Sequence, residues 1–288
     1  MNETDLAYVA GMFDGEGCIL IVKQHPERNT FRLDVRVTST DFPLLESLKE
    51  NFGGWVGNQP DNKNVKKCRR ARYWAASSKT AFVFLKKIAP FLRIKKEQAG
   101  LAIEFQERIE KVGVNELEPS EVLAREGYKA RLSALKNPQP QERIALSGLS
   151  QSEKDVAYAA GMLDGDGTIL VCSAKTSHWL SVRITNTDRF VLEQMKSFFG
   201  GGIGSKNDGQ KRTRPCWDWS AQGKGAASFL GKVLPYLTIK RNQAILALEF
   251  QKRKIELKDS GTSMNEKVAL GEEYKKRISD LNQRRFVA

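Results

Sequence analysis

The sequence predicts an α+β fold in which one domain is written twice, and three observations carry this. An apolar stretch ending in an acidic, glycine-rich turn occurs twice, as Asp14-Gly15-Glu16-Gly17 and as Asp164-Gly165-Asp166-Gly167. Other segments recur in the same order: Thr38-Ser39-Thr40-Asp41 answers Thr185-Asn186-Thr187-Asp188, and Pro90-Phe91-Leu92-Arg93-Ile94-Lys95 answers Pro235-Tyr236-Leu237-Thr238-Ile239-Lys240. Within each copy the apolar spacing changes from helical to the strict alternation of a half-buried strand. The expected layout is a first repeat over 1–136, a linker over 137–151 and a second repeat over 152–288.

Each repeat reads the same way. The first helix starts near Thr4 or Ser152, both candidate N-caps, and Ser152 has Asp155 at capping-box spacing. Ala7, Ala10 and Gly11, like Ala157, Ala160 and Gly161, place small residues on one helix face, so these two helices are expected to pack together. Strands follow. Phe31, Leu33, Val35 and Val37 alternate with Arg32, Asp34 and Arg36; Leu180, Val182 and Ile184 alternate with Ser181, Arg183 and Thr185. Each pattern predicts a sheet with one wet face. Helices over 44–52 and 191–199 stop at Gly-Gly. A hairpin comes next, its tip in a polar, basic segment (61–72 and 205–214), with Trp74 and Trp219 as matching core positions. Two or three helices close each repeat, with long loops expected over 112–120 and 258–265. Asn137-Pro138-Gln139-Pro140-Gln141 has linker composition.

The 288 residues carry a net charge of +13 and a pI near 9.6. Such an excess favours a polyanionic partner, above all nucleic acid. Cys18, Cys68, Cys172 and Cys216 show no C-x-x-C spacing and the chain has only 2 histidines, which argues against zinc and against a histidine base. No apolar run approaches the ~18–20 residues of a membrane span. The acidic start, Met1-Asn2-Glu3-Thr4-Asp5, does not read as a targeting signal. An intracellular protein of the cytoplasm or an organelle matrix, with reduced thiols, is expected.

The acidic turns are the candidate chemistry. A helix C-terminus carries partial negative charge, so a carboxylate placed there calls for a cation. Two such ends brought together would offer carboxylate and carbonyl oxygens, a donor set for Mg²⁺ or Mn²⁺ and not for zinc. A hard cation beside a phosphate serves phosphodiester hydrolysis.

Ala10-Gly11-Met12-Phe13-Asp14-Gly15-Glu16-Gly17 and Ala160-Gly161-Met162-Leu163-Asp164-Gly165-Asp166-Gly167 resemble the paired motifs of a single-chain LAGLIDADG homing endonuclease, and the similarity runs over nearly the whole chain. The resemblance implies two αββαββα repeats about a pseudo-two-fold axis. It also implies motif helices at the inter-repeat interface and antiparallel sheets forming a saddle on double-stranded DNA. It implies a monomer that cleaves both strands of a long DNA site with Mg²⁺, for which Mn²⁺ substitutes, and no organic cofactor. By position it assigns the metal to Glu16 and Asp166, assisted by the carbonyls of Gly15 and Gly165. Asp14 and Asp164 are left to shape the turn. Lys95 and Lys240 match the lysine beside the reacting water, and Ser39 and Asn186 match a water-orienting position, where Ser39 is short.

Base edges are read by arginine, glutamine and asparagine, and phosphates are held by lysine and arginine. Candidates for DNA contact are Gln24, Arg32, Arg36, Arg69, Arg70, Arg183, Lys206 and Arg214, with Lys66, Lys67, Lys211 and Arg212 on phosphate. Two other functions use the same scaffold and charge: an intron RNA maturase and a cleavage-dead DNA-binding regulator. Retention of both second acids favours cleavage.

Overall fold

A computed structural model of the chain describes residues 1–25, 29–59, 71–114, 117–136, 151–205, 215–259, 261 and 263–284. The chain forms two compact units, one of residues 16–143 with 1–2, the other of residues 3–15 with 144–288. The first helix, α1 (Glu3–Glu16), therefore lies almost wholly in the second unit. The first unit continues with β1 (Gly17–His25), β2 (Thr30–Ser39), α2 (Phe42–Phe52), β3 (Trp55–Asn58), β4 (Arg72–Ser77), α3 (Ser78–Ile88), α4 (Lys96–Val112) and α5 (Pro119–Leu135). The second contains α6 (Glu153–Asp166), β5 (Gly167–Ala174), β6 (Ser177–Asn186), α7 (Arg189–Phe199), β7 (Gly202–Ser205), β8 (Trp217–Gln222), α8 (Gly223–Val233), α9 (Arg241–Asp259) and α10 (Met264–Arg284). Each repeat is thus αββαββα followed by two further helices. Among the described residues no helix is long and apolar enough to cross a membrane.

Both sheets are antiparallel, in the orders β1-β2-β4-β3 and β5-β6-β8-β7. The alternation in β2 buries Phe31, Leu33, Val35 and Val37 under α2 and α3, while Arg32, Asp34 and Arg36 face the other way. In β6, Leu180, Val182 and Ile184 are buried and Arg183 is exposed, but Ser181, expected on the wet face, is buried too. The Gly-Gly stops fall where a left-handed backbone is needed: Gly53 and Gly54 have φ of 76° and 85°, Gly200 and Gly201 70° and 87°. A side chain at Gly54 would also overlap the carbonyl oxygen of Ala75. The fully buried Trp74 and Trp219 donate their indole N–H to the carbonyls of Gly53 and Gly200, at 2.8 and 2.9 Å. Each tryptophan thereby satisfies a carbonyl at a helix end.

Helix starts differ from the sequence reading by a few residues. α1 begins at Glu3, so Thr4 is inside the helix and does not cap it. Ser152 forms the expected capping box with Asp155. Asp41 and Asp188 cap α2 and α7, which start at Phe42 and Arg189, ahead of the expected starts at Leu44 and Val191. The loops expected over 112–120 and 258–265 are shorter, because α4 runs to Val112, α5 starts on Pro119, α9 runs to Asp259 and α10 starts at Met264. The linker residues 137–150 and most of both hairpin tips lie outside the described residues.

Within the second unit α1 and α6 pack against each other at their glycines. Every residue from Ala7 to Asp14 and from Ala157 to Asp164 is buried, so neither helix keeps a wet face over this span. A methyl group on Gly11 would overlap the carbonyl oxygen of Tyr158, and one on Gly161 the carbonyl oxygen of Tyr8. Since the obstacles are backbone atoms, they cannot yield by a rotamer change. Gly161→Ala is expected to cost about 3 kcal/mol or more, read as a fall in thermal unfolding temperature; an unchanged temperature would refute the close approach.

In the first unit α4 and α5 are joined by a charge network in which Glu121 and Arg125 are buried and Arg108 reaches the surface. Glu121 accepts from Arg108 at 2.6 Å and from Arg125 at 2.8 Å, and Arg125, fully buried, also donates to the Gly113 carbonyl at 2.6 Å. The Arg108 hydrogen bond holds the Glu121 carboxyl below its ordinary pKa, with Arg125 adding to it. Its stabilisation is full above the ordinary carboxylate range and is lost as pH falls through the lowered value. Urea unfolding at a series of acid pH values is expected to show this loss, and Glu121→Gln to flatten it while lowering stability at neutral pH. An equal slope in the two proteins would remove Glu121 from the acid response.

Candidate active site and nucleic-acid faces

Glu16 and Asp166 are the last residues of α1 and α6. The acidic turns expected at these positions are thus the last turns of the helices themselves. They remain helical because the chain turns only at the following glycine, where Gly167 is extended and its N–H still reaches the Leu163 carbonyl. Glu16 is exposed and Asp166 half-buried.

The second unit gathers several of the expected residues at the end of α6. Asp166 accepts a hydrogen bond from Asn186 Nδ2 at 2.8 Å. The orientation of that amide is fixed by its other end, since Asn186 Oδ1 accepts the N–H of Asp188 at 2.8 Å. Asn186 therefore acts on the acid itself. Gly15 comes from α1, and a Cβ built on it would stand 3.2 Å from the Asp166 carboxylate. The motif glycine of one repeat thus abuts the motif acid of the other, and any side chain at position 15 would crowd it.

Asp164 is 3% exposed and accepts four hydrogen bonds. Oδ2 takes the N–H of Thr238 and of Ile239, each at 2.9 Å, and the phenol of Tyr8 at 2.9 Å; Oδ1 takes the N–H of Lys240 at 2.7 Å. Lys240 Nζ returns to the carbonyl oxygen of Asp164. The first acid of the motif thus holds both ends of the lysine, going well beyond shaping its own turn. Reciprocally, Tyr158 donates to Asp14 at 2.7 Å, and Asp14 is 2% exposed. The sequence carried one unused signal for this, a tyrosine at the same place in both motifs.

In the first unit Lys95 is the N-cap residue of α4, its carbonyl accepting the N–H of Ala99 at 2.8 Å. Ser39 Oγ accepts the N–H of Asp41 at 3.0 Å, the same task as Asn186 Oδ1. Lacking an amide, Ser39 has no counterpart of the nitrogen that Asn186 gives to Asp166.

The wet sheet faces place some of the expected DNA-contacting residues. On β2, Arg32 pairs bidentately with Asp34 at 2.7 and 2.9 Å, which raises the guanidinium pKa. Arg36 is exposed and lies 4.3 Å from the Tyr73 ring across the sheet. By strand register Arg32, Asp34 and Arg36 stand opposite Val22, Leu20 and Cys18 of β1. Gln24 falls where that register slips, between Lys23 and His25, and is exposed. On β6, Arg183 is 3.7 Å from Asp218, which also receives the Thr185 hydroxyl. Arg72 stacks 4.2 Å from the Phe42 ring at the foot of its hairpin. Arg69, Arg70, Lys206 and Arg214, and with them Lys66, Lys67, Lys211 and Arg212, lie outside the described residues. Sequence reasoning missed the residues that orient these arginines, Asp34, Tyr73 and Asp218; a carboxylate flanked by two arginines in Arg32-Leu33-Asp34-Val35-Arg36 was the available sign.

The donors on the two turns are hard oxygens: the Glu16 and Asp166 carboxylates and the Gly15 and Gly165 carbonyls. Histidine and cysteine are missing from both turns, and no group of three or more His, Cys, Asp and Glu side chains that could hold a metal occurs among the described residues. Hard oxygens of this kind suit a cation that takes part of its shell from water or phosphate, as Mg²⁺ does. They do not suit zinc, which takes N and S ligands.

Asp164→Asn would turn an acceptor of four hydrogen bonds into a group with two donors of its own, facing other donors. The expected cost is about 3 kcal/mol, measured by urea unfolding. A cost near zero would mean that the four bonds do not hold the segment.

No protein-family model matches the sequence, and no curated protein is significantly similar to it. Solved structures do match over nearly the full chain. The LAGLIDADG homing endonuclease I-GzeII, in complex with its DNA target, is 17% identical, with a TM-score of 0.68 and 96% of each chain covered. The LAGLIDADG meganuclease I-AabMI, bound to uncleaved DNA, is 19% identical at a TM-score of 0.66, covering 96% of this chain and 98% of that one. I-SmaMI, bound to an uncleaved DNA target in the presence of calcium ions, is 19% identical at 0.64, covering 94% and 98%. At these identities the likeness establishes the fold: two repeats of the LAGLIDADG homing endonuclease type.

Proposed function

We propose that the chain is a site-specific, metal-dependent endodeoxyribonuclease, a homing endonuclease that hydrolyses one phosphodiester bond on each strand of a long, asymmetric double-stranded DNA target. The observation that carries the reading is the Asp166 carboxylate, held by a hydrogen bond from Asn186 and packed where Gly15 of the other motif leaves room for it. A carboxylate ordered in this way at a helix C-terminus is unfavourable without a cation. A net charge of +13 supplies the attraction to DNA.

Each acidic turn contributes one carboxylate, Glu16 or Asp166, and one carbonyl, of Gly15 or Gly165, to divalent metal; Mg²⁺ is the expected ion, with Mn²⁺ as substitute. When bound, the ion lowers the pKa of water and offsets charge on the leaving oxygen. Asn186 orients Asp166. Lys240, fixed at both ends by Asp164, presents a cation beside the turn where negative charge develops on phosphate, and Lys95 is the counterpart in the first unit. Arg32, Arg36 and Arg183, set by Asp34, Tyr73 and Asp218, suit guanine edges in the major groove. Gln24, Arg69, Arg70, Lys206 and Arg214 extend the contact. The reading takes 1–136 and 152–288 as repeats joined by 137–151, acting as an intracellular monomer of the cytoplasm or an organelle matrix in intron homing.

The test is a cleavage selection on a randomised or genomic DNA library, with and without Mg²⁺. Wild type should yield Mg²⁺-dependent double-strand breaks at one long sequence. Glu16→Gln and Asp166→Asn should each lose at least about a hundredfold in rate. Tight, salt-sensitive DNA binding with no Mg²⁺-dependent breaks would mark a binding-only regulator, and tight binding to a structured intron RNA in place of DNA a maturase. Either outcome sinks the endonuclease reading.

A further inference from the structure

We infer that Tyr8, a residue of the first motif helix, is a positioning residue for Lys240 of the second repeat and acts through Asp164. Of the four donors to Asp164, three are the backbone N–H groups of Thr238, Ile239 and Lys240, a single short segment. Tyr8 is the fourth and the one from elsewhere, so it ties that segment to α1. Asp164 and Tyr8 are both at least nine-tenths buried, which leaves water little access to replace the phenol.

The segment is the N-terminal approach to α9, and Lys240 is its last residue. Lys240 is held at its N–H by the Asp164 side chain and at Nζ by the Asp164 carbonyl. Asp164 therefore contacts the lysine at both ends: its carboxylate places the Lys240 backbone from which the side chain starts, and its carbonyl takes Nζ. Loss of the phenol leaves Oδ2 with donors from the 238–240 segment alone, so that the carboxylate and the segment lose their tie to α1. The Tyr8 backbone is fixed independently, because its carbonyl oxygen lies against Gly161. Tyr8 thus measures Lys240 against a rigid reference. The inference rests on the proposed cleavage only in giving Lys240 a reaction to serve.

The experiment compares full-length wild type, Tyr8→Phe, Tyr158→Phe, Lys240→Met and the Tyr8→Phe/Lys240→Met double variant. Tyr158→Phe removes the matching bond, to Asp14, from the same helix pair without touching Asp164, and so controls for general loosening. Trace labelling with acetic anhydride, read by mass spectrometry, reports how firmly Lys240 Nζ is held. Tyr8→Phe is expected to raise Lys240 labelling about tenfold, the equivalent of one buried hydrogen bond, and Tyr158→Phe to leave it unchanged. On the target found by selection, Tyr8→Phe should slow cleavage of one strand about tenfold with DNA affinity intact, and should add nothing to Lys240→Met. Equal labelling in Tyr8→Phe and wild type, an equal rise in both tyrosine variants, or a further slowing of Lys240→Met by Tyr8→Phe would each overturn the inference. If wild type cuts no DNA, the labelling still decides the role of Tyr8, and the proposed function is what fails.

Discussion

The close approach of α1 and α6 is the constraint on which the site depends. Two backbones meet where Gly11 faces Tyr158 and Gly161 faces Tyr8, a distance that no larger residue allows. Only at that distance does Tyr8 reach Asp164, Tyr158 reach Asp14, and Gly15 lie against Asp166. The small residues, the tyrosines, the first acids and the second acids are thus one arrangement. Glycine here costs helix propensity, roughly 1 kcal/mol per residue, which buried packing and hydrogen bonds between the helices offset.

The two repeats share a scaffold and differ in chemistry. Asp41 and Asp188 cap equivalent helices, and Ser39 and Asn186 both accept the N–H of that aspartate. Asn186 then has an amide nitrogen left for Asp166, whereas Ser39 has no such group. The acid on the serine side is the longer one, Glu16, and the acid on the asparagine side is the shorter, Asp166. The sheet faces differ as well. Arg32 is tied to Asp34 by two short bonds, while Arg183 makes a loose 3.7 Å contact with Asp218, whose other oxygen is taken by Thr185. Unlike halves of this kind suit an asymmetric ligand.

Much of the fold was legible in the chain because its signals were local or repeated. The alternation in Phe31–Val37 and Leu180–Ile184, the Gly-Gly stops and the Ser152 capping box each depend on a few neighbouring residues. The pairing of α1 with α6 was legible from small residues at helical spacing. What could not be read was long-range or depended on a choice between equivalent donors. The Asp164 carboxylate gathers donors from two distant places in the chain, Tyr8 and the 238–240 segment, and its own neighbours suggest only a turn. Asp34 in the β2 pattern looked like one more polar residue on a wet face; its pairing with Arg32 depends on side-chain geometry that spacing does not encode. Helix ends shifted by a residue or two for the usual reason, that caps and apolar positions mark different turns.

The place of α1 in the second unit, ahead of the whole first unit in sequence, has a consequence for biogenesis. Tyr8 and Asp164 are 156 positions apart, so the helix leaves the ribosome well before its partner. At about 5–20 residues per second, the interval is on the order of 8–30 s. Throughout it, a helix destined to be buried on every side has no native place to go, while Glu16 and the strands after it can already form their sheet. The nascent chain therefore presents an apolar segment of the kind that chaperones hold, until the second motif is made and the two glycines can meet.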